Sequence, residues 1–144
     1  MNEILANFWE RDIRILIEEI NQFKSEENLW KIQGSIKNSA GNLALHIAGG
    51  TNFLIGNILG NNGYVRNRDL EFSQKGVPRS ELIAGLEGLI PMIRKTVGSV
   101  DLEAEYPRIF DDKKVTNGYL VVRLLAHLGY HTGQVNYLRR MIDN

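Results

Sequence analysis

The stretch 116–142, TNGYLVVRLLAHLGYHTGQVNYLRRMI, decides the fold more than any other part of the chain. Its apolar side chains recur largely at three- and four-residue steps, which is the spacing of one face of an α-helix. Thr116 can cap the first turn by accepting a backbone N–H bond. The pattern predicts a long amphipathic helix to about Ile142, whose buried stripe contains Leu120, Leu124, Leu128, Val135 and Leu138.

Three other segments carry the same helical spacing. The first spans about residues 3–23, and its stripe contains Leu5, Phe8, Ile13, Leu16, Ile17, Ile20 and Phe23. The second begins near Asn38 or Ser39 and continues to Ile58, where the run 60–63, GNNG, ends it. The third begins at Pro78, and Pro91 should kink it or break it near Ile90.

The connecting segments have no clear period. Residues 24–37 are mostly polar, and Trp30 is expected to close one end of the core. Residues 64–77 carry no assigned element, and no useful strand-like alternation occurs anywhere. The chain is therefore predicted to be all-α, a bundle of four helices. Its long connections permit crossovers, so the order of the helices stays open on this evidence.

Composition limits the function classes. The chain has 144 residues, which suits a single domain over 1–144, and its 17 Lys and Arg balance 17 Asp and Glu. A net charge of zero gives no reason to expect nucleic acid or an acidic membrane surface as a partner. The absence of cysteine removes any internal thiol. We expect a cytoplasmic protein, because neither a signal peptide nor a membrane-length apolar run occurs.

All three histidines fall on predicted core faces. His127 and His131 lie four positions apart, about 6 Å along one helix, and share its apolar stripe. His46 has a comparable place on the second helix. Three imidazoles from two helices form a ligand set for zinc or nickel, and no fourth protein ligand is evident. The pattern predicts an open metal site.

One alternative to metal binding stays open, and one class of metal chemistry is not supported. A lone core histidine is usually neutral and satisfied by a neighbouring polar group, and three such histidines would need no metal. The run 127–131, HLGYH, also lacks the glutamate that follows the first histidine in zinc peptidases, so peptidase chemistry is not supported. No catalytic acid, base or nucleophile is assigned.

Two amides are candidates for orienting a metal ligand or binding a substrate. Asn42 lies one turn before His46, and Gln134 lies three positions after His131. Surface or capping roles are equally compatible with both amides. Glycines flank His131 and follow His46, and we interpret them as places of close helix approach or of room for a ligand.

The pattern His127-x-x-x-His131-x-Gly133-Gln134, with the segment 42–46, NLALH, upstream, resembles the DinB-like superfamily, named after a DNA-damage-inducible protein. The resemblance covers essentially the whole chain. It implies a four-helix bundle of up-down-down-up topology, often a homodimer, with Zn²⁺ or Ni²⁺ on His46, His127 and His131. Relatives include thiol-dependent transferases and isomerases that use a low-molecular-weight thiol such as bacillithiol or mycothiol.

Two hypotheses follow from the residues and the resemblance together. In the first, the chain is a metal-dependent thiol S-transferase or hydrolase acting on a small molecule, with Asn42 and Gln134 near the ligand. In the second, the metal is structural, or the bundle is a non-catalytic binding module for a small ligand or a protein in a stress response. Neither the metal nor the substrate is selected by the sequence.

Overall fold

The computed structural model describes residues 1–144, and its regular structure is entirely helical. Five α-helices form, with a 3₁₀ turn at Glu26–Trp30 and a π-helical stretch at Asn52–Asn57. The α-helices are α1 Asn2–Gln22, α2 Ala40–Thr51, α3 Arg68–Ser73, α4 Arg79–Val97 and α5 Asn117–Ile142. The only strand-like pairings are isolated ones between Glu105 and Thr116 and between Phe110 and Lys113. The all-α prediction is confirmed.

Helix α1 packs its apolar face against α4 and α5. The spacing predicts this buried face correctly except at one residue. Trp9 is fully buried, whereas Phe8 is 43% exposed. The stripe runs through Leu5, Trp9, Ile13, Leu16 and Ile20 at steps of three and four, so the position after Phe8 faces the core. The inclusion of Phe8 in the buried stripe was wrong, because Trp9, and not Phe8, lies four positions after Leu5 and four before Ile13 on the buried face.

Helix α2 begins where the sequence places it and changes form earlier than expected. The Ser39 side chain accepts the backbone N–H of Asn42 and caps the helix. Trp30 is half-buried and lies over Gly41, where any side chain would collide with the indole ring. The α-helical pattern stops at Thr51 and the chain continues as one π-helical turn to Asn57.

Helix α3 was missed by the sequence analysis. The Asn67 side chain accepts the backbone N–H of Leu70 and caps this six-residue helix, whose first turn is acidic. It packs against α2. So short a helix shows no apolar period, and only its cap and acidic first turn could have indicated it.

Helix α4 continues through Pro91 to Val97, so the predicted break near Ile90 does not occur. Pro91 is exposed, whereas its neighbours Leu89, Ile90 and Ile93 are buried. The missing N–H therefore affects the solvent side of the helix, while packing on the other side favours the helical path. Pro78 is the N-cap residue and not the first helical residue.

Contacts at the helix ends define how the helices run. Asn2, at the start of α1, donates to the carbonyl of Val97 at the end of α4. Asp143, after α5, accepts the backbone N–H of Lys24, just beyond α1. Gly60, which follows α2 and its π-helical turn, lies against Thr96 near the end of α4. The start of α1 therefore lies beside the end of α4, the end of α1 lies beside the end of α5, and the end of the α2 segment lies beside the end of α4.

The buried apolar residues form one cluster of 27, contributed by every α-helix except α3 and by the connecting segments. Helices α4 and α5 each pack against both α1 and α2, whereas α1 and α2 contact each other little. The three histidines lie at the contact between α2 and α5.

Candidate metal centre

The three histidines meet between α2 and α5. His127 and His131 project from successive turns of α5, and their Nε2 atoms are 2.9 Å apart. The Nε2 of His46, from α2, lies 3.4 Å from that of His127. One nitrogen from each ring lies within 4.8 Å of the others. The predicted gathering of these residues is therefore present in the structure.

Hydrogen bonds on the far side of two rings indicate which nitrogen is free. His46 Nδ1 lies 3.0 Å from the Oε1 of Glu71, and His131 Nδ1 lies 2.6 Å from the Oε1 of Gln134. An ionised carboxylate and an amide oxygen can only accept, so each Nδ1 must carry the hydrogen. The lone pairs of both rings then lie on Nε2, the atoms that converge.

The separations suit a divalent ion. Zinc binds imidazole nitrogen at about 2.0–2.1 Å, so two ligands at a tetrahedral angle stand about 3.3 Å apart. The Nε2 of His127 lies 2.9 Å from that of His131 and 3.4 Å from that of His46, on either side of that distance. No fourth His, Asp or Glu joins the group. An ion held here would therefore keep positions open to water or to a ligand.

Glu71 is the main site residue that the sequence analysis missed. It is 5% exposed, and besides His46 it contacts Arg66, whose Nε lies 2.8 Å from Oε2 and whose Nη2 lies 2.9 Å from Oε1. Burial raises the pKa of the Glu71 carboxyl, but the hydrogen bonds from Arg66 and His46 outweigh it and hold the pKa below its usual range. Glu71 is therefore a carboxylate at neutral pH.

Gly49 makes room for this carboxylate. A Cβ at Gly49 would lie 2.8 Å from the Cδ of Glu71 and still closer to its Oε2. The neighbouring Gly50 similarly lies against Arg66. The interpretation of the glycines after His46 as points of close approach is confirmed, but what approaches them is α3 and the segment before it. Gly129 and Gly133 are exposed with open space around them, so they mark no close contact.

The two candidate amides have different surroundings. Gln134 binds the Nδ1 of His131 directly. Asn42 is fully buried and donates to the backbone carbonyls of Glu71, at 3.0 Å, and Gln74, at 2.8 Å. Asn42 therefore fixes α3, which carries Glu71, and it lines neither of the cavities beside the histidines. Its predicted contact with a ligand stays a prediction.

The rings of His127 and His131 are held in the neutral form that binds metals. Burial is the largest cause that lowers the pKa of His127, to about 4, and the positive charge that His131 or His46 would carry adds to it. Burial also lowers the pKa of His131, although the hydrogen bond to Gln134 opposes the shift. Because metal ions bind neutral imidazole, protons compete weakly for these two rings near pH 7.

Two cavities border the histidine cluster. A cavity of about 220 Å³ is bounded by His46 and His127, and three arginines line it, Arg66, Arg68 and Arg123. A larger cavity of about 510 Å³ is bounded by His131 and Gln134, and its other lining residues include Leu43, Tyr130, Tyr137, Leu138 and Met141. The first cavity is cationic and the second is largely apolar.

No helix in the structure combines the length and the apolar character that a membrane span requires. The family model described as "Protein of unknown function (DUF1572)" matches residues 3–144. None of the curated proteins and none of the solved structures matches the chain.

Proposed function

This chain belongs to the DUF1572 family of proteins of unknown function, and we propose that it is a divalent-metal-dependent thiol S-transferase of the DinB-like type. The observation that carries the proposal is the convergence of three Nε2 atoms from His46, His127 and His131. Two of these rings are fixed from behind by Glu71 and Gln134. Metal-binding histidines are typically held by such acceptors.

We also propose the architecture that the resemblance implies, a four-helix bundle in which α1, α2, α4 and α5 run up, down, down and up. Three contacts support it. The bond from Asn2 to Val97 favours an antiparallel arrangement of α1 and α4, and the bond from Lys24 to Asp143 favours a parallel arrangement of α1 and α5. The approach of Gly60 to Thr96 favours a parallel arrangement of α2 and α4.

Zn²⁺ or Ni²⁺ is the proposed cofactor, because imidazole suits both ions and the chain contains no cysteine thiolate. His46, His127 and His131 would hold it through Nε2. When bound, the ion would lower the pKa of a coordinated thiol or water and so supply a nucleophile near neutral pH. A thiol must come from a small molecule, since the chain contains no cysteine.

The largely apolar cavity beside His131 is the proposed place of the second substrate, an electrophile. Its volume, about 510 Å³, falls in the range of small-molecule sites. In the proposed transfer, the sulfur forms a bond to carbon as the leaving group departs with the bonding electrons, and the thiol proton goes to solvent. Gln134 positions His131 at the boundary of this cavity. With water in place of the thiol, the same site would support hydrolysis.

Cobalt substitution tests this function directly. We expect Co²⁺-loaded protein to show a shifted visible spectrum and a new near-ultraviolet charge-transfer band when 2-mercaptoethanol is added. Ethylene glycol, which replaces the thiol by a hydroxyl, is the matched control and should leave the spectrum unchanged. A cobalt spectrum that responds to no thiol at any pH between 6 and 9 would exclude thiol coordination.

A structural role for the metal is the second candidate. It is favoured by the position of the histidines, which link α2 to α5 across a gap where few other polar contacts join them. If the role is structural, removing the metal lowers the melting temperature strongly, because binding free energy becomes folding free energy. An unchanged melting temperature without metal would contradict this role.

A cytoplasmic location and a homodimer remain part of the proposal. Exposed apolar side chains on one face of α1, Ile4, Phe8 and Ile15, support a self-association surface. Sedimentation equilibrium of the metal-loaded protein tests it, with a monomeric mass as the contrary result.

A further inference from the structure

The small cavity beside the histidines has an unusual charge. Three arginines line it, Arg66 before α3, Arg68 at the start of α3 and Arg123 on α5, and no acidic side chain is among its lining residues. Arg123 lies four positions before His127, so both project from the same face of α5. Cations and two of the metal-binding candidates therefore share one small volume.

Part of this positive charge is already compensated. Arg66 binds Glu71 through Nε and Nη2, and Arg123 approaches Asp111 through Nε at 3.3 Å. Arg68 has no carboxylate partner, and its guanidinium lies over the ring of Phe72 at 5.2 Å. Each guanidinium retains N–H donors beyond these contacts, because arginine carries five.

Four apolar side chains also line the cavity. Ile47, Leu54, Phe110 and Leu124 contribute the carbon surface between the arginines and the histidines. A ligand that fills about 220 Å³ here would place a short carbon chain against these residues. Such a ligand would lie within reach of both the arginines and the histidines.

We propose that the thiol used at this site carries a carboxylate, which the arginines bind while the sulfur faces His46 and His127. The inference rests on the proposed metal-dependent thiol chemistry and adds the class of thiol to it. Guanidinium groups bind carboxylates through paired N–H···O bonds, which gives geometry as well as charge. A divalent ion held by the histidines would add positive charge to the same cavity.

Two matched thiols separate this inference from the proposed function. 3-Mercaptopropionate carries the carboxylate, and 3-mercaptopropionamide replaces it by an uncharged amide of similar shape. Both are titrated into Co²⁺-loaded protein at one pH, and the dissociation constant is taken from the cobalt spectrum. A nearby carboxylate makes a thiol less acidic, so thiol acidity alone would favour the amide.

We expect the acid to bind at least about 10-fold more tightly than the amide, a difference of about 1.4 kcal/mol. In the double variant Arg68→Gln and Arg123→Gln, this preference should disappear, because the acid loses more affinity than the amide. The single variant Arg68→Gln, at an exposed position, should lose part of the preference. It replaces the double variant in the experiment if the double variant folds poorly. Arg11→Gln, on the exposed side of α1, is the matched control and should keep it.

Equal affinities for the two thiols in the wild-type protein would overturn the inference and leave the proposed function standing. A preference that survives in both arginine variants would also overturn it. If neither thiol changes the cobalt spectrum, the proposed thiol chemistry fails and the inference fails with it.

Discussion

At the residue scale, Glu71 links the histidine cluster to the rest of the protein. Its carboxylate accepts hydrogen bonds from the Nδ1–H of His46 and from the Nε–H and Nη2–H groups of Arg66. A carboxylate behind a histidine fixes the orientation of the ring and makes its other nitrogen a better ligand. The buried position of Glu71 is stable because Arg66 and His46 compensate for the lost hydration.

Glu71→Gln should therefore weaken metal binding without removing any histidine. Loss of such a partner typically costs about 10- to 100-fold in metal affinity, and we expect a value in that range for Zn²⁺ measured by chelator competition. Glu87→Gln, at an exposed position on α4, is the matched control. An unchanged affinity in folded Glu71→Gln protein would show that the charge of Glu71 does not contribute to metal binding.

His127 should make the metal-free protein sensitive to mild acid. Its pKa is about 4 in the folded protein, against an ordinary value of about 6.5 in the unfolded chain. As the pH falls from about 6.5 toward 4, His127 becomes protonated in the unfolded chain but stays neutral in the folded protein, so the free energy of unfolding decreases. Above that pH range His127 contributes no pH dependence.

Melting temperatures of the metal-free protein at pH 7 and pH 5 check this expectation. The wild type should lose stability between the two, and His127→Gln should lose measurably less, because glutamine does not titrate. His131 contributes in the same direction, so some acid sensitivity remains in the variant. Identical losses in both proteins would contradict the prediction.

At the scale of elements, the site depends on how closely α3 approaches α2. Gly49 leaves no space between the two helices for even a methyl group on the side of Glu71. We expect Gly49→Ala to displace the carboxylate, to lower the free energy of unfolding by about 1–3 kcal/mol and to weaken Zn²⁺ binding.

Gly88→Ala is the matched control for this substitution. Gly88 lies on the exposed face of α4 with open space where a Cβ would be added. Alanine there should stabilise the helix by about 0.5–1 kcal/mol, since glycine is the poorer helix former. Urea unfolding of both variants distinguishes the two cases, and a Gly49→Ala protein as stable as Gly88→Ala would refute the close approach.

The elements also show how far sequence reasoning reaches. His127 and His131 were predictable, because four-residue spacing and an apolar stripe fix their direction on a long helix. Glu71 was not, because α3 has six residues and no period of its own. Its only local signals are the Asn67 cap and an acidic first turn. The buried amide of Asn42 then holds α3 in place through contacts 29 and 32 residues apart, which no local pattern indicates.

At the scale of the whole molecule, one core positions a histidine cluster that is bordered by two cavities. Helices α2 and α5 supply the histidines, and their separation is set by packing of both against the remaining core. The two cavities differ in charge and polarity, which suits a reaction between two unlike substrates. Periodicity predicted the helices, but the spacing between helices, and so the cavities, depends on tertiary packing.

The metal content of the protein tests the central claim most directly. The chain is purified without a histidine tag, loaded with excess Zn²⁺, dialysed, and measured by elemental mass spectrometry. The account predicts about one ion per chain in the wild type and almost none in His127→Ala, which retains the helix and removes the ring whose Nε2 contacts those of both His46 and His131. A wild-type protein without a stoichiometric ion, or a His127→Ala protein that holds as much metal as the wild type, would contradict it.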